Sequence, residues 1–233
     1  VKILCISDTH QHHDSITLVP CDVLIIAGDI CTSGEIVQVE KFANWLQRQS
    51  HNFNKAIIIA GNHDWALMRF RILALEALRR AIGDKLIYLE DSSCIIDGVK
   101  FYGSPWQPEF NSWAFNVPRG EKIRTIWDAI DLDTDVLITH GPPFGIGDRV
   151  FGNSVGCFEL AKKLRELNRL SLHVYGHVHA GNGAYISEEH PGVQFCNASL
   201  LDEDYKPVNP SYMYTFLNTA NYRVSTATSI KLF

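Results

Sequence analysis

Five short apolar runs in this chain each end in aspartate, asparagine or histidine, and that recurrence constrains the fold more than any other feature. Lys2-Ile3-Leu4-Cys5-Ile6 leads into Ser7-Asp8-Thr9-His10, Val23-Leu24-Ile25-Ile26-Ala27 into Gly28-Asp29, and Ala56-Ile57-Ile58-Ile59-Ala60 into Gly61-Asn62-His63-Asp64. Val136-Leu137-Ile138-Thr139 leads into His140-Gly141, and Leu172-His173-Val174-Tyr175 into Gly176-His177-Val178-His179. Continuous runs rich in β-branched residues predict strands buried on both faces. In sheets of that kind the chemistry gathers at the carboxyl edge, where the chain turns out of the strand. Oxygen and imidazole groups from all these strand ends therefore converge on one place, a candidate metal centre.

Between the strands the pattern changes to helical spacing. Thr32 and Glu35 form a capping-box pattern, and Ile36, Val39, Phe42, Ala43 and Leu46 give the following helix one apolar face. After Asp64 a single helix is expected, with Leu67, Phe70, Leu73, Leu78 and Ile82 inside and Gly83 as its stop. From Lys85 to Tyr102 the pattern is again that of strands, with Asp97-Gly98 as a hairpin turn that opens a second sheet. Short helices are expected over 121–130 and 157–170, and strands over 192–198, 213–217 and 222–226. No internal repeat or linker interrupts this order, so a single domain over 1–233 is expected. Its fold class is α/β, a four-layer α/β/β/α sandwich of two mixed β-sheets flanked by helices.

Composition narrows the partners. The chain has 233 residues, 46% of them apolar, with a formal net charge of -5 and no long run of lysine or arginine. A nucleic-acid polymer is thus not an expected partner. No stretch approaches the ~20 apolar residues that span a bilayer, and the first residues open directly into a strand without a signal-peptide pattern. The six cysteines show no C-x-x-C pairing and several lie within apolar runs, so they are read as reduced core thiols in a cytoplasmic protein.

Asp8, His10, Asp29, Asn62, His140, His177 and His179 are the candidate metal ligands. Asp8 and His10 are alternate residues on an extended segment and so point the same way. One divalent ion holding all these groups would keep no open position for substrate, whereas two ions sharing a carboxylate use them well. Imidazole and oxygen ligands without thiolate suit manganese, iron or zinc better than magnesium or calcium alone; two manganese ions are the expectation, with iron, zinc or magnesium as alternatives. Two ions ~3.5–4 Å apart make a hydroxide near neutral pH and clamp the oxygens of a phosphoryl group during in-line displacement. His12 and His13 read as a solvated loop beside this set. Arg149, just beyond His140, is open to substrate contact or to a surface ion pair. The segment from Gly103 to Gly120 carries Trp106, Phe110, Trp113 and Phe115 among three prolines. Those rings could stack on a substrate ring or staple the loop to the body, the latter favoured for Trp113 and Phe115.

Taken in order, the blocks D-x-H, G-D, G-N-H-D, H-G and G-H-V-H resemble the calcineurin-like metallophosphoesterase superfamily, and the resemblance spans Asp8 to His179. It implies that Asp8, His10, Asp29 and His179 hold a first ion and that Asp29 bridges to a second, completed by Asn62, His140 and His177. It gives His63 the task of stabilising the transition state or protonating the leaving oxygen, with Asp64 to orient it, and places Asn62 and His63 against substrate. Gly103-Ser104-Pro105-Trp106-Gln107-Pro108, Trp113-Ala114-Phe115-Asn116, Thr139-His140-Gly141-Pro142-Pro143, Asn197-Ala198-Ser199 and Val208-Asn209-Pro210 further resemble the metallophosphoesterase-domain-containing subfamily. That subfamily includes phosphodiesterases acting on cyclic nucleotides and model diesters. Some members replace the last metal histidine with glycine and lose much activity, whereas this chain keeps His179. The function implied is hydrolysis of a small phosphate ester or nucleotide by a two-metal phosphodiesterase. The alternatives are a phosphomonoesterase or protein phosphatase, or a nucleotide-binding protein of the same fold with little catalysis.

Overall fold

The computed structural model describes residues 1–217 and 223–233. In chain order, β1 (Lys2–Ile6) and β2 (Cys21–Ala27) lead into helix α1 (Ile36–Arg48), and β3 (Phe53–Ile59) leads into α2 (Trp65–Arg69) and α3 (Arg71–Ile82). Next come β4 (Leu86–Tyr88), β5 (Ser92–Ile96), β6 (Val99–Ser104), and the short pair β7 (Gln107–Pro108) and β8 (Asn116–Val117). Helix α4 (Glu121–Asp128), β9 (Val136–Thr139), the small hairpin β10 (Arg149–Val150) and β11 (Asn153–Ser154), and α5 (Phe158–Leu164) follow. The chain closes with β12 (Leu172–Tyr175), β13 (Gly183–Ile186), β14 (Gln194–Asn197), β15 (Ser211–Leu217), β16 (Arg223–Val224) and β17 (Thr228–Ile230). Tyr222, within a strand expected from the sequence, lies outside the described residues.

Two mixed sheets stack face to face. The first has the order β16-β15-β1-β2-β3-β4, with β17 also on β15; the second has the order β13-β14-β12-β9-β6-β5. Strands β1 to β4 run parallel, as do β6, β9, β12 and β14. Alternation along each strand divides the core into three layers. Ile3, Cys5, Val23, Ile25, Ile57 and Ile59 face Phe101, Val136, Ile138, Leu172 and Val174 between the sheets. Leu4, Ile6, Leu24, Ile26 and Ile58 turn to the other side and bury Phe42, Trp45, Leu46 and Leu78 of α1 and α3. Leu137, Tyr175 and Phe195 do the same for α4 and α5 through Ile123, Trp127, Leu160 and Leu164. Each such side chain stabilises the fold by roughly 1.5–3 kcal/mol. This is the four-layer sandwich expected from the sequence.

Several local expectations give way. The Thr32–Glu35 capping box does not form: Glu35 makes no side-chain cap, and Gln38 Oε1 instead accepts the N–H groups of Thr32, Ser33 and Gly34. The helix after Asp64 breaks at Phe70, whose φ of -129° lies outside the helical range. Phe70 and Leu73 are consequently exposed rather than inside. His12 is exposed, but His13 is buried against Phe42 and Trp45. All six cysteines are free, and all but Cys94 are buried.

Candidate metal centre

The carboxyl ends of β1, β2, β3, β9 and β12 open at one edge, and backbone bonds join the loops that leave them. Asp8 N–H donates to Gly28 O and His10 N–H to Asp29 O, both at 3.0 Å, and Gly176 N–H donates to His140 O at 2.9 Å. Asp8, His10, Asp29 and His177 have φ values of 52°, 38°, 53° and 67°. These left-handed conformations are rare for residues other than glycine. They kink each strand end so that the side chain turns back over the edge. Strain of about 1–3 kcal/mol per residue persists only where the surroundings hold it. Gly28, at φ 98°, has no room for a side chain: a Cβ there would lie 2.6 Å from His140 Nδ1.

The candidate ligands from the sequence meet here. Asp8, His10 and His179 form one group with ligand atoms within 4.8 Å of one another, and Asp29, His140 and His177 form another. Asp29 reaches both: its Oδ2 lies 3.6 Å from His10 Nε2 and 3.3 Å from His140 Nε2. Asn62 Oδ1 lies 2.9 Å from His140 Nε2 and 2.8 Å from His177 Nδ1. The outer nitrogens are held by carbonyls: His10 Nδ1 by Cys31 O at 3.0 Å, His140 Nδ1 by Ala27 O at 2.9 Å and His179 Nδ1 by Asp202 O at 3.0 Å. An Nδ1–H donated outward leaves the Nε2 lone pair facing inward, the arrangement that supports metal-bound imidazole. His10 Nε2 is buried with no hydrogen-bond partner among the described residues. An orphaned buried nitrogen beside two carboxylates fits a divalent metal centre.

Electrostatics agree with that donor set. Burial works against ionised Asp8, yet the hydrogen bond from His179 and the surrounding imidazoles hold its carboxyl well below the usual range. Asp29 is likewise held low, against its burial, by His140 and His10. Burial lowers His10 and His177 to about 4, keeping both neutral as ligands must be. His140 is the exception: the carboxylate of Asp29 outweighs burial and raises the imidazole to about 9, so its proton competes with a cation and would have to leave for this nitrogen to act as a ligand.

His63 sits beside these ligands. Its N–H donates to Asp29 Oδ1 at 2.7 Å, its Nδ1 meets Thr32 O at 2.6 Å, and Trp113 stacks on it with centroids 4.1 Å apart at 31°. Asp64, expected to orient that ring, binds backbone instead: its carboxylate accepts Gly61 N–H at 2.8 Å and Cys31 N–H at 2.9 Å. Burial and the nearby charge of Asp29 push Asp64 up to about 6.

The aromatic segment divides between its two readings. Phe115 is buried and Trp106 packs on it edge-on, so both staple the loop. Trp113 and Phe110 lie at the centre, the latter with its ring 5.9 Å from that of His177. Arg149 is exposed and lines a separate cavity of about 280 Å³ that none of the ligands borders.

Three contributions escaped the sequence reading. Arg119 and Tyr205 join His177 and His179 around a cavity of about 770 Å³. Tyr205 also lies edge-on to His10 and His179, with centroids 5.0 and 5.1 Å away. The third is a carbonyl, Asp202 O, and a backbone oxygen has no signature in sequence. Asn197-Ala198-Ser199 proves structural: Asn197 Nδ2 donates to Val178 O at 2.8 Å, between two ligands, and Ser199 Oγ donates to Asp8 Oδ2 at 2.8 Å.

Comparison with known proteins agrees with this geometry. The calcineurin-like phosphoesterase family model matches residues 1–181. Human metallophosphoesterase domain-containing protein 1 is 35% identical over 229 residues, covering 90% of this chain and 69% of that protein. UPF0046 protein T07D4.2 of Caenorhabditis elegans is 32% identical over 230 residues, covering 88% of this chain and 57% of that protein. Among solved structures, TT1561 of Thermus thermophilus superposes with a TM-score of 0.64 over 97% of this chain and 98% of its own, at 12% identity, a likeness of fold.

Proposed function

The chain belongs to the calcineurin-like phosphoesterase family and is a metal-dependent phosphoester hydrolase; on that premise we propose a two-ion phosphodiesterase for small phosphate diesters, with cyclic nucleotides as candidate substrates. The observation that carries the reading is the position of Asp29, between a group formed by Asp8, His10 and His179 and another formed by His140 and His177. Asp29 would be shared by two divalent ions, with Asp8, His10 and His179 on one and Asn62, His140 and His177 on the other. These nitrogen and oxygen donors accept manganese, iron or zinc, and manganese is the ion proposed for the first test. Such a pair of ions supplies a nucleophile at neutral pH and charge to clamp the phosphoryl oxygens.

The protein's own groups supply the rest. With Nδ1 engaged by the Thr32 carbonyl, His63 presents Nε2 to substrate, to stabilise a phosphoryl oxygen or protonate the leaving one. Trp113 restricts the tilt of that ring. Asn62, bound through its own carbonyl to Ala114 N–H at 3.1 Å, keeps the His63 turn against the aromatic segment.

The test is hydrolysis of bis(p-nitrophenyl) phosphate, p-nitrophenyl phosphate and 2′,3′- and 3′,5′-cyclic AMP by protein stripped and reloaded with manganese. The expected result is turnover of diesters above the monoester, reduced roughly 10²–10⁴-fold by His63→Ala with both ions retained. Preference for the monoester would replace the reading with a phosphomonoesterase. Absence of turnover with two ions bound would replace it with a binding role.

A further inference from the structure

Large apolar side chains stand exposed beside the metal centre, where their burial would have stabilised the fold. Phe110 is 55% exposed, Phe151 93% and Val155 38%. Together with Pro142 they line the cavity of about 770 Å³ that reaches His177 and His179. Phe151 is the clearest case. It occupies the turn between β10 and β11 at φ 47°, a left-handed conformation that costs an aromatic residue about 1–2 kcal/mol. The fold gains little from a strained, nearly fully exposed ring. Apolar surface gathered into a concavity next to ligating histidines is the signature of a ligand site.

The charges around this cavity narrow the ligand. Arg119 is engaged by its own wall, donating to Val155 O at 2.7 Å and Gly156 O at 2.8 Å. The exposed carboxylates of Glu109 and Glu203 also line the cavity. A second anionic group would meet two carboxylates against the single positive charge of Arg119, two of whose N–H donors are already taken by that wall. A flat or alkyl uncharged group would meet Phe110, Phe151 and Val155. His63 does not line the cavity; it lies on the Thr32 and Trp113 side of the centre.

We propose that this cavity is the subsite for the ester group that stays on phosphorus, and that it selects diesters whose retained group is apolar and uncharged. The inference rests on the phosphodiesterase reading, taken with His63 in its second role, as the group that protonates the leaving oxygen, which puts that oxygen on the His63 side. Hydrolysis breaks the P–O bond to that leaving group, places the oxygen of water on phosphorus and a proton on the departing alcohol. The retained group then departs as a phosphomonoester. A monoester substrate has nothing to place in the cavity, which is the physical basis for preferring diesters.

Methyl, phenyl and 4-carboxyphenyl p-nitrophenyl phosphates share one leaving group and differ only in the retained one. With manganese-loaded protein, kcat/KM for the phenyl ester should exceed that for the methyl ester roughly tenfold or more, as burial of an aromatic ring predicts. The 4-carboxyphenyl ester should fall back toward the methyl ester. In a Phe110→Ser/Phe151→Ser protein the phenyl-to-methyl ratio should approach one. Calorimetric binding of diphenyl phosphate and dimethyl phosphate to the manganese-loaded His63→Ala protein provides a readout without turnover, with diphenyl phosphate expected to bind roughly tenfold tighter. Equal affinities, or a preference that survives loss of both phenylalanines, would overturn the subsite. Tight diphenyl phosphate binding without hydrolysis of any ester would support the subsite and sink the catalytic reading instead.

Discussion

Asp29 lies within 3.6 Å of His10 Nε2 and 3.3 Å of His140 Nε2, so its removal disturbs both halves of the centre. Asp29→Asn should lose bound metal and hydrolysis together, read by elemental analysis and diester turnover. Trp113 should behave differently because it touches His63 rather than the ligands. Trp113→Ala should keep the ions, lower kcat roughly ten- to hundredfold through a misplaced imidazole, and have no further effect in His63→Ala protein. Trp113→Phe should restore most of the loss, and an equal fall in the His63→Ala background would refute the positioning role. The convergence of the candidate ligands was legible because carboxylate, amide and imidazole are side-chain chemistry placed at the ends of readable strands. Tyr205 and the Asp202 carbonyl were not, since they arrive on a tail turn whose path depends on tertiary contacts. That turn is held by Asp202 Oδ1, which accepts Lys206 N–H at 2.8 Å and Asp204 N–H at 3.0 Å.

At the scale of elements, the loop between β2 and α1 links helix anchoring to the proposed chemistry. Gln38 Oε1, on the first turns of α1, gathers three successive N–H groups at 3.0–3.1 Å. The first of those residues, Thr32, offers its carbonyl to His63. Gln38→Ala should therefore destabilise the fold by roughly 1–3 kcal/mol and lower turnover several-fold while metal content holds. A loss of stability with kcat unchanged would show that this loop does not position His63. The strands were readable because runs such as Val23-Leu24-Ile25-Ile26-Ala27 are buried on both faces and leave no ambiguity of period. The break at Phe70 was not, because helical spacing continues through it while the backbone departs from the helix. Likewise Thr32 and Glu35 have the spacing of a cap, but the longer side chain of Gln38 reaches the same donors.

For the molecule as a whole, the centre also joins the two sheets. Ser7, at the end of β1, pairs with Ser199 beyond β14, and Leu200 N–H donates to Ser7 O at 3.0 Å. Ions that bind only the folded state should raise its stability, by about 2.7 kcal/mol per site at a hundred times Kd. Chelation should accordingly lower Tm, and an unchanged Tm would mean that the centre forms without them. Acid should act separately through the core. Burial lowers His173 to about 3 and His13 to about 4 from 6.5, so the unfolded chain binds more protons between those values. Stability of the metal-free protein should thus fall as pH drops from 6.5 toward 4, less steeply in His173→Gln protein. The strand order has a consequence in time. β1 lies between β2 and β15, although β15 begins only at Ser211. During synthesis, which proceeds from the N-terminus at roughly 5–20 residues per second, one edge of β1 waits unpaired until the tail emerges. Asp202 and Ser199, which hold His179 and Asp8, emerge equally late. The nascent chain thus completes the candidate centre only after residues 199–217 have emerged, and a ribosome stalled before them would carry most of the sandwich without a finished centre.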